Sequence, residues 1–385
     1  MRTNCILLVV VLLVVAPAAT IGTAGAAPTG APDQPNAVAD QHLDCTFPIE
    51  VEDGTGETVT IDEEPDEVVV LAPNVAQHLW EIGAQETVIG MPVNQYTSYL
   101  NGSEQRTHIL TEGENGFDVP NNELIVDLEA DLVLVPNAVP TDAAEQLRAS
   151  GETVYYYDRA TSLETMLQQV ERTGQLVGEC EAATEETDEL EERIDAVENA
   201  VADEEHPKIF YDFSPGSLYT ANSNTLEHDV FTSAGAENIA ADIDADAGNG
   251  YPIVSSEVVL AEDPEWVINQ SFGLSEFPGY EDTTALSNGQ IITVEDNFIN
   301  QHGPRNVDVL EHVASELHPE AMEEARQAGE NDTDESIDDE TESGADDGST
   351  DDSEGSDTDD SGAGLTVGAA VAAVIALALI AGRRD

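Results

Sequence analysis

Between Cys45 and Ala325, short apolar runs alternate with helix-favouring stretches, and this alternation constrains the fold more than any other feature of the chain. The runs Val68–Leu71, Thr87–Gly90, Leu132–Val135 and Thr153–Tyr157 are too short for helices. Helical spacing separates them, over Val75–Ile82 ending at Gly83 and Asp142–Ser150 ending at Gly151. Continuous apolar strands linked by helices are what a parallel sheet buried on both faces requires. Ahead of them, Phe47–Ile61 with Asp53-Gly54-Thr55-Gly56 at its centre predicts a hairpin. Residues 45–160 therefore read as one α/β lobe.

The rhythm then changes and restarts. Ser162–Val201 is rich in Leu, Gln, Glu, Ala and Val and has no proline, so residues 161–205 are expected to form one long rigid helix, with Gly174 and Gly178 as its weak points. Its apolar positions do not keep a clean heptad, which argues against a coiled coil. A second α/β lobe is expected over 206–325, with strands Lys208–Phe213, Trp266–Asn269 and Ile291–Val294 and helices Leu226–Ser233 and Val307–Leu317. An internal echo supports two equivalent lobes: Glu123–Leu134 aligns without a gap on Glu257–Ile268, each copy a short helix opened by Glu and handing over to a strand.

The ends say where such a chain resides. Residues 1–26 carry Arg2, an apolar run and Ala24-Gly25-Ala26, the parts of a secretory signal peptide, and 27–44 read as a flexible linker. Residues 326–363 read as a stalk, since Gly329–Gly362 holds 16 acidic residues and no basic one and is expected to be disordered. Residues 364–382 are uncharged and apolar, long enough to cross a bilayer, and precede Arg383-Arg384, which places the bulk of the chain outside the cell. This tail resembles the C-terminal surface-anchoring signals of haloarchaeal proteins, although Gly362-Ala363-Gly364 replaces their usual Pro-Gly-Phe. Cys45 and Cys180, the two cysteines left after export, are expected to pair; two buried thiols are the alternative.

Charge excludes further classes. The net charge is −69, and Cys45–Ala325 alone holds 60 acidic residues against seven basic ones. A nucleic-acid binder needs a basic face, so that class is removed. Such self-repulsion is tolerable in multimolar salt, where the Debye length falls to about 3 Å, so the chain reads as halophilic. Walker, nucleophile-elbow, His-Glu-x-x-His and dinucleotide motifs are missing, so no enzyme and no cofactor are expected. His78 and His302 fall near strand C-terminal ends and leave a metalloenzyme open as one alternative.

Two facing α/β lobes make a cleft outside the carboxyl ends of their strands. The loops expected there carry Tyr96, Tyr99, Phe213, Tyr251, Phe272 and Phe298, flat walls suited to a bulky, partly apolar ligand. Arg305 is the one basic residue expected near the cleft, as an anion contact or as a structural side chain beneath the loop.

Five segments in order, Val68–Ala84, Asn121–Val135, Leu218–Ala240, Tyr251–Ile268 and His302–Glu320, resemble the substrate-binding proteins of iron-siderophore and cobalamin ABC importers. The resemblance covers Glu67–Met322. It implies two Rossmann-like lobes joined by one rigid helix, with a ligand in the cleft, against which Asn74 of the first segment is placed. It implies that Glu123 and Glu257, one per lobe, dock into arginine pockets of a permease dimer driven by a cytoplasmic ATPase. Tyr251 stands where cobalamin binders of the family have Trp before Pro. A cleft rich in rings and poor in cations favours a corrinoid, with a ferric siderophore or haem as the alternative. A surface scaffold protein without a transport role is the alternative from another class.

Overall fold

The computed structural model describes residues 44–328 apart from 114–115, 214–215 and 246–248. The expected signal peptide, most of the linker, the acidic stalk from 329 onward and the C-terminal apolar segment lie outside the described residues.

The chain opens with an antiparallel hairpin, β1 (Ile49–Glu52) and β2 (Thr58–Ile61). The buried Asp53 carboxylate at its turn accepts from the Thr55 and Tyr156 amides at 2.8 and 3.0 Å and pairs with Arg148. That anchors the turn against the first lobe. The lobe then runs through β3 (Val68–Val70), α1 (Pro73–Glu81), β4 (Val88–Met91), β5 (Thr107–His108), a small hairpin of β6 (Leu110–Glu112) and β7 (Asp118–Pro120), α2 (Asn122–Asp127), β8 (Leu132–Val135), α3 (Thr141–Ser150) and β9 (Val154–Tyr156). Its sheet is parallel, in the order β5-β4-β3-β8-β9.

Next come α4 (Leu163–Val177) and α5 (Cys180–Val201). The second lobe contains β10 (Lys208–Asp212), α6 (Leu226–Ser233), β11 (Glu237–Asn238), α7 (Ser256–Glu262), β12 (Trp266–Gln270), α8 (Thr284–Asn288), β13 (Ile291–Val294), α9 (Asp296–Asn300) and α10 (Asn306–Leu317). Its sheet, also parallel, has the order β11-β10-β12-β13.

Period-2 side-chain alternation explains why these strands read as unbroken apolar runs. Val68 and Val70 of β3 and Leu132 and Leu134 of β8 enter a core shared with α1, α4 and α5, while Val69, Val133 and Val135 enter a second core on the opposite face. In the second lobe Ile209, Tyr211 and Ile268 join the shared core, and Phe210 and Val267 pack on the outer side. One core therefore runs through both lobes and the connecting helices.

The connector corrects the expectation of a single long helix over 161–205. Helix α4 starts at a Ser162–Thr165 capping box and stops at Gly178, which is left-handed at φ 85°. The Glu179 amide returns to the Gly174 carbonyl at 2.8 Å, and α5 starts at Cys180. A β-carbon at Gly174 would overlap that of Ala183, so the two helices approach at backbone distance there. Cys180 is bonded to Cys45, with Cα atoms 6.0 Å apart, which ties the N-terminal segment to this break. Arg193 of α5 binds Glu311 and Asp308 of α10, fixing the connector on the second lobe. A second boundary also moves: residues 319–328 are helical, with Arg326 paired to Glu323, so the ordered part extends three residues into the segment assigned to the stalk from 326.

The internal echo is structural. Asn121 and Ser255 each cap a helix, accepting from Leu124 N at 3.2 Å and Val258 N at 3.3 Å. Glu129 and Asp263, at matching positions of the echo, are both left-handed although neither is glycine, with φ of 52° and 46°. Just beyond, the amides of Asp131 and Glu265 bond to the carbonyls of Glu67 and Lys208, each at 2.8 Å.

Candidate functional site

The lobes meet along the segment Gln301–Arg305, which leads into α10. Gln77 of α1 donates from Nε2 to the Tyr99 hydroxyl at 2.8 Å, and that hydroxyl donates to Gln301 Oε1 at 2.6 Å. Gln77 Oε1 accepts from the Arg305 amide at 3.0 Å, and Gln301 Nε2 donates to the Tyr96 carbonyl at 2.8 Å. Each amide side chain thus uses both ends, as buried polar groups must. Burial pushes the Tyr99 hydroxyl pKa up, so it is a neutral hydrogen-bonding group.

Arg305 lies within this network. Its guanidinium sits 4.4 Å from the centroid of Tyr99 and 4.9 Å from that of Phe298, and its Nε reaches Glu81 at 3.4 Å. Of the two roles open to it from sequence, this geometry is that of a structural arginine joining the lobes.

A second group of rings lies within the second lobe. Phe213, just past β10, and Tyr251 have ring centroids 5.9 Å apart at 30°, and Tyr211 backs Phe213 at 5.8 Å. The Tyr251 hydroxyl donates to both oxygens of Glu227, at 2.8 and 3.0 Å. Glu227 on α6 is 2% exposed, with His302 Nε2 3.5 Å from it. Burial alone would raise the Glu227 pKa; the His302 ring and the Tyr251 hydroxyl outweigh it and hold the carboxyl below its usual range. Arg159, which follows β9, donates to the Asn249 carbonyl beside Tyr251. This corrects the expectation that Arg305 is alone among the bases near the cleft. Nothing in the sequence marks Arg159 for that place.

The structure therefore draws Tyr99, Phe298 and Arg305 into one cluster and Phe213 and Tyr251 into another. Tyr96 contributes its carbonyl while its ring is 49% exposed. Phe272, 68% exposed beyond β12, meets no other ring among the described residues. Asn74 is half-buried in the first turn of α1. Sequence reasoning missed Gln77, Gln301 and Glu227. His78 is buried, with Nδ1 3.1 Å from the Thr173 hydroxyl, and among the described residues no three His, Cys, Asp or Glu side chains converge as a metal site.

Glu123 and Glu257 are both exposed, and each is the second residue of its short helix. A surface concavity of about 440 Å³ lies beside Glu123, lined by Val126, Asp127, Gln146 and Ser150. Another, of about 900 Å³, opens within the second lobe among Asn269, Leu274, Phe277 and Leu286, and neither Phe213 nor Tyr251 lines it.

The family model described as periplasmic binding protein matches residues 68–297. A cobalamin-binding protein of Halobacterium salinarum is 34% identical over 321 residues, which cover 80% of this chain and 84% of that protein. An uncharacterised ABC transporter substrate-binding lipoprotein of Bacillus subtilis is 23% identical, covering 76% of this chain and 92% of its own length. Among solved structures, the periplasmic vitamin B12 binding protein of Vibrio cholerae superposes with a TM-score of 0.57 at 20% identity, over 68% of this chain and 98% of that one, a likeness of fold. With two parallel α/β lobes around an aromatic junction and a family match spanning both, the chain belongs to the periplasmic binding protein family.

Proposed function

We propose that this protein is the extracellular substrate-binding component of an ABC importer and that its cargo is cobalamin or a related corrinoid, bound between the lobes. The observation that carries this reading is the 34% identity, over 80% of the chain, to a protein named for cobalamin binding. The walls agree with it. Phe213 and Tyr251 offer one flat apolar area, and Tyr99 of the first lobe with Phe298 of the second offers another. The junction holds two arginines, few for a polyanionic chelate, and Arg305 is already paired with the Glu81 carboxylate, while Arg159 donates to the neutral Asn249 carbonyl. In this reading a bulky ligand seated where the lobes meet parts the Tyr99–Gln301 bond.

Glu123 and Glu257 are the docking groups in this proposal, one per lobe, set to meet arginines on the two permease subunits. Hydrogen bonds from the backbone at the α7 N-terminus, then from Ser255, hold the Glu257 carboxyl below its usual range, so it stays charged. The signal peptide of residues 1–26 and the apolar segment 364–382 complete the proposal as export signal and anchor.

Uptake of labelled cyanocobalamin by cells lacking the gene and complemented with variants tests the reading. Glu123→Arg with Glu257→Arg is expected to abolish uptake and leave ligand binding intact. Normal uptake by that variant rejects the docking assignment.

A further inference from the structure

Val119 and Ile253 are 134 residues apart, the separation that also relates Asn121 to Ser255, Glu123 to Glu257 and Glu129 to Asp263. Both are aliphatic and both are open to solvent, 43% and 61% exposed. Each stands four residues ahead of its lobe's matched glutamate. One exposed aliphatic side chain needs no explanation. The same exposure at the same point of two copies whose sequences otherwise differ does. Phe117, two residues before Val119, is 77% exposed, and Val258, beside Glu257, is 36% exposed. Each lobe therefore carries an exposed carboxylate with exposed apolar side chains within six residues of it in sequence.

We infer that these matched patches are an apolar docking surface for a membrane partner that itself presents two copies of one socket, apolar beside a cation. This rests on the importer reading, in which the partner is the permease dimer, and adds to it the source of the affinity. Charge alone is a poor address on this protein: the net charge is −69, and two more carboxylates among so many distinguish no face. In multimolar salt the Debye length is about 3 Å or less, so a carboxylate acts only on contact. Removal of apolar surface from water is not screened in this way. Val119 and Ile253 then hold the lobes on the partner, and Glu123 and Glu257 fix their register.

The test uses the full-length chain in cells lacking the gene, with labelled cyanocobalamin uptake in 2 and 4 M salt and cyanocobalamin binding measured separately on each purified variant. Val119→Ser with Ile253→Ser is expected to lower uptake at least tenfold at both salts while binding stays within twofold. Glu123→Gln with Glu257→Gln is the companion variant. Uptake within twofold of wild type in the serine variant, with the glutamine variant impaired, overturns the apolar inference alone. Full uptake in both variants overturns the docking assignment and this inference with it, and full uptake in the uncomplemented deletion strain overturns the importer reading as well. Because all four positions are exposed, a variant that loses cyanocobalamin binding as well contradicts the assignment of these residues to docking.

Discussion

Tyr99 and Gln301, 202 positions apart in sequence, are joined by a 2.6 Å hydrogen bond from the tyrosine hydroxyl to the glutamine carbonyl oxygen, which ties one lobe to the other. Tyr99→Phe keeps the ring but leaves Gln77 without its acceptor and Gln301 without its donor. Loss of such a bond costs about 1–2 kcal/mol of stability. The same change removes a contact that a bulky ligand parts in this reading, so cyanocobalamin affinity is expected to rise by up to about tenfold, as about 1.4 kcal/mol corresponds to that factor. Denaturant unfolding and calorimetric titration of the variant in KCl check the two halves.

His78 gives a pH dependence of known sign. Burial drives its pKa from 6.5 to about 4, weakly opposed by the His302 backbone. The unfolded imidazole takes up its proton near pH 6.5 and the folded one only near 4. Across that window the unfolded state binds more protons, so this residue's contribution to stability falls as pH falls. At pH 5 the loss is about 2 kcal/mol relative to pH 7.5. The carboxylates titrate too, so the measurement is the difference between wild type and His78→Gln in denaturant midpoint at pH 7.5 and 5.0. The variant is expected to lack the His78 component.

The Cys45–Cys180 bond closes a loop with a sequence separation of 135. In the chain-entropy account a loop of that size contributes about 4–5 kcal/mol. Reduction, or Cys45→Ser with Cys180→Ser, is expected to lower the unfolding free energy by an amount of that order. Thiol titration of the denatured, unreduced protein is expected to find no free sulfhydryl from this pair.

Phe213 and Tyr251 form the wall assigned to the ligand. Phe213→Ala is expected to weaken cyanocobalamin binding by about tenfold through lost contact area. Tyr251→Phe keeps the ring while withdrawing a donor from the buried Glu227, so it is expected to change binding little and to raise the Glu227 pKa. Titration calorimetry across pH 5–8 separates the two effects.

Much of the fold was legible in the sequence because inner strands such as Leu132–Val135 are buried on both faces, while the edge strand Ile291–Val294 buries every second residue. Leu132–Val135 and Ile291–Val294 fall where the apolar runs placed them. The gapless echo between Glu123 and Glu257 was visible as spacing, and the paired caps and left-handed residues give it a structural basis. The connector was misread because helix propensity summed over Ser162–Val201 outweighed one residue, Gly178, whose left-handed conformation ends α4. The junction was harder still. Gln77, Gln301 and Arg159 are ordinary polar residues until tertiary approach brings partners to them, and Glu227, in the first turn of α6, reads as a solvated helix-start acid. Its partners Tyr251 and His302 come from distant parts of the chain. The weight given to Tyr96 and Phe272 came from ring content alone, which does not tell a wall residue from an exposed one.

The central claim is that the lobes hold a corrinoid. Calorimetric titration of the purified protein in multimolar KCl with cyanocobalamin, haem and a ferric hydroxamate, each in turn, tests it most directly. Saturable one-to-one binding of cyanocobalamin, at least a hundredfold tighter than either iron compound, is the predicted result. No heat with cyanocobalamin, alongside tight binding of haem or the ferric chelate, would contradict it.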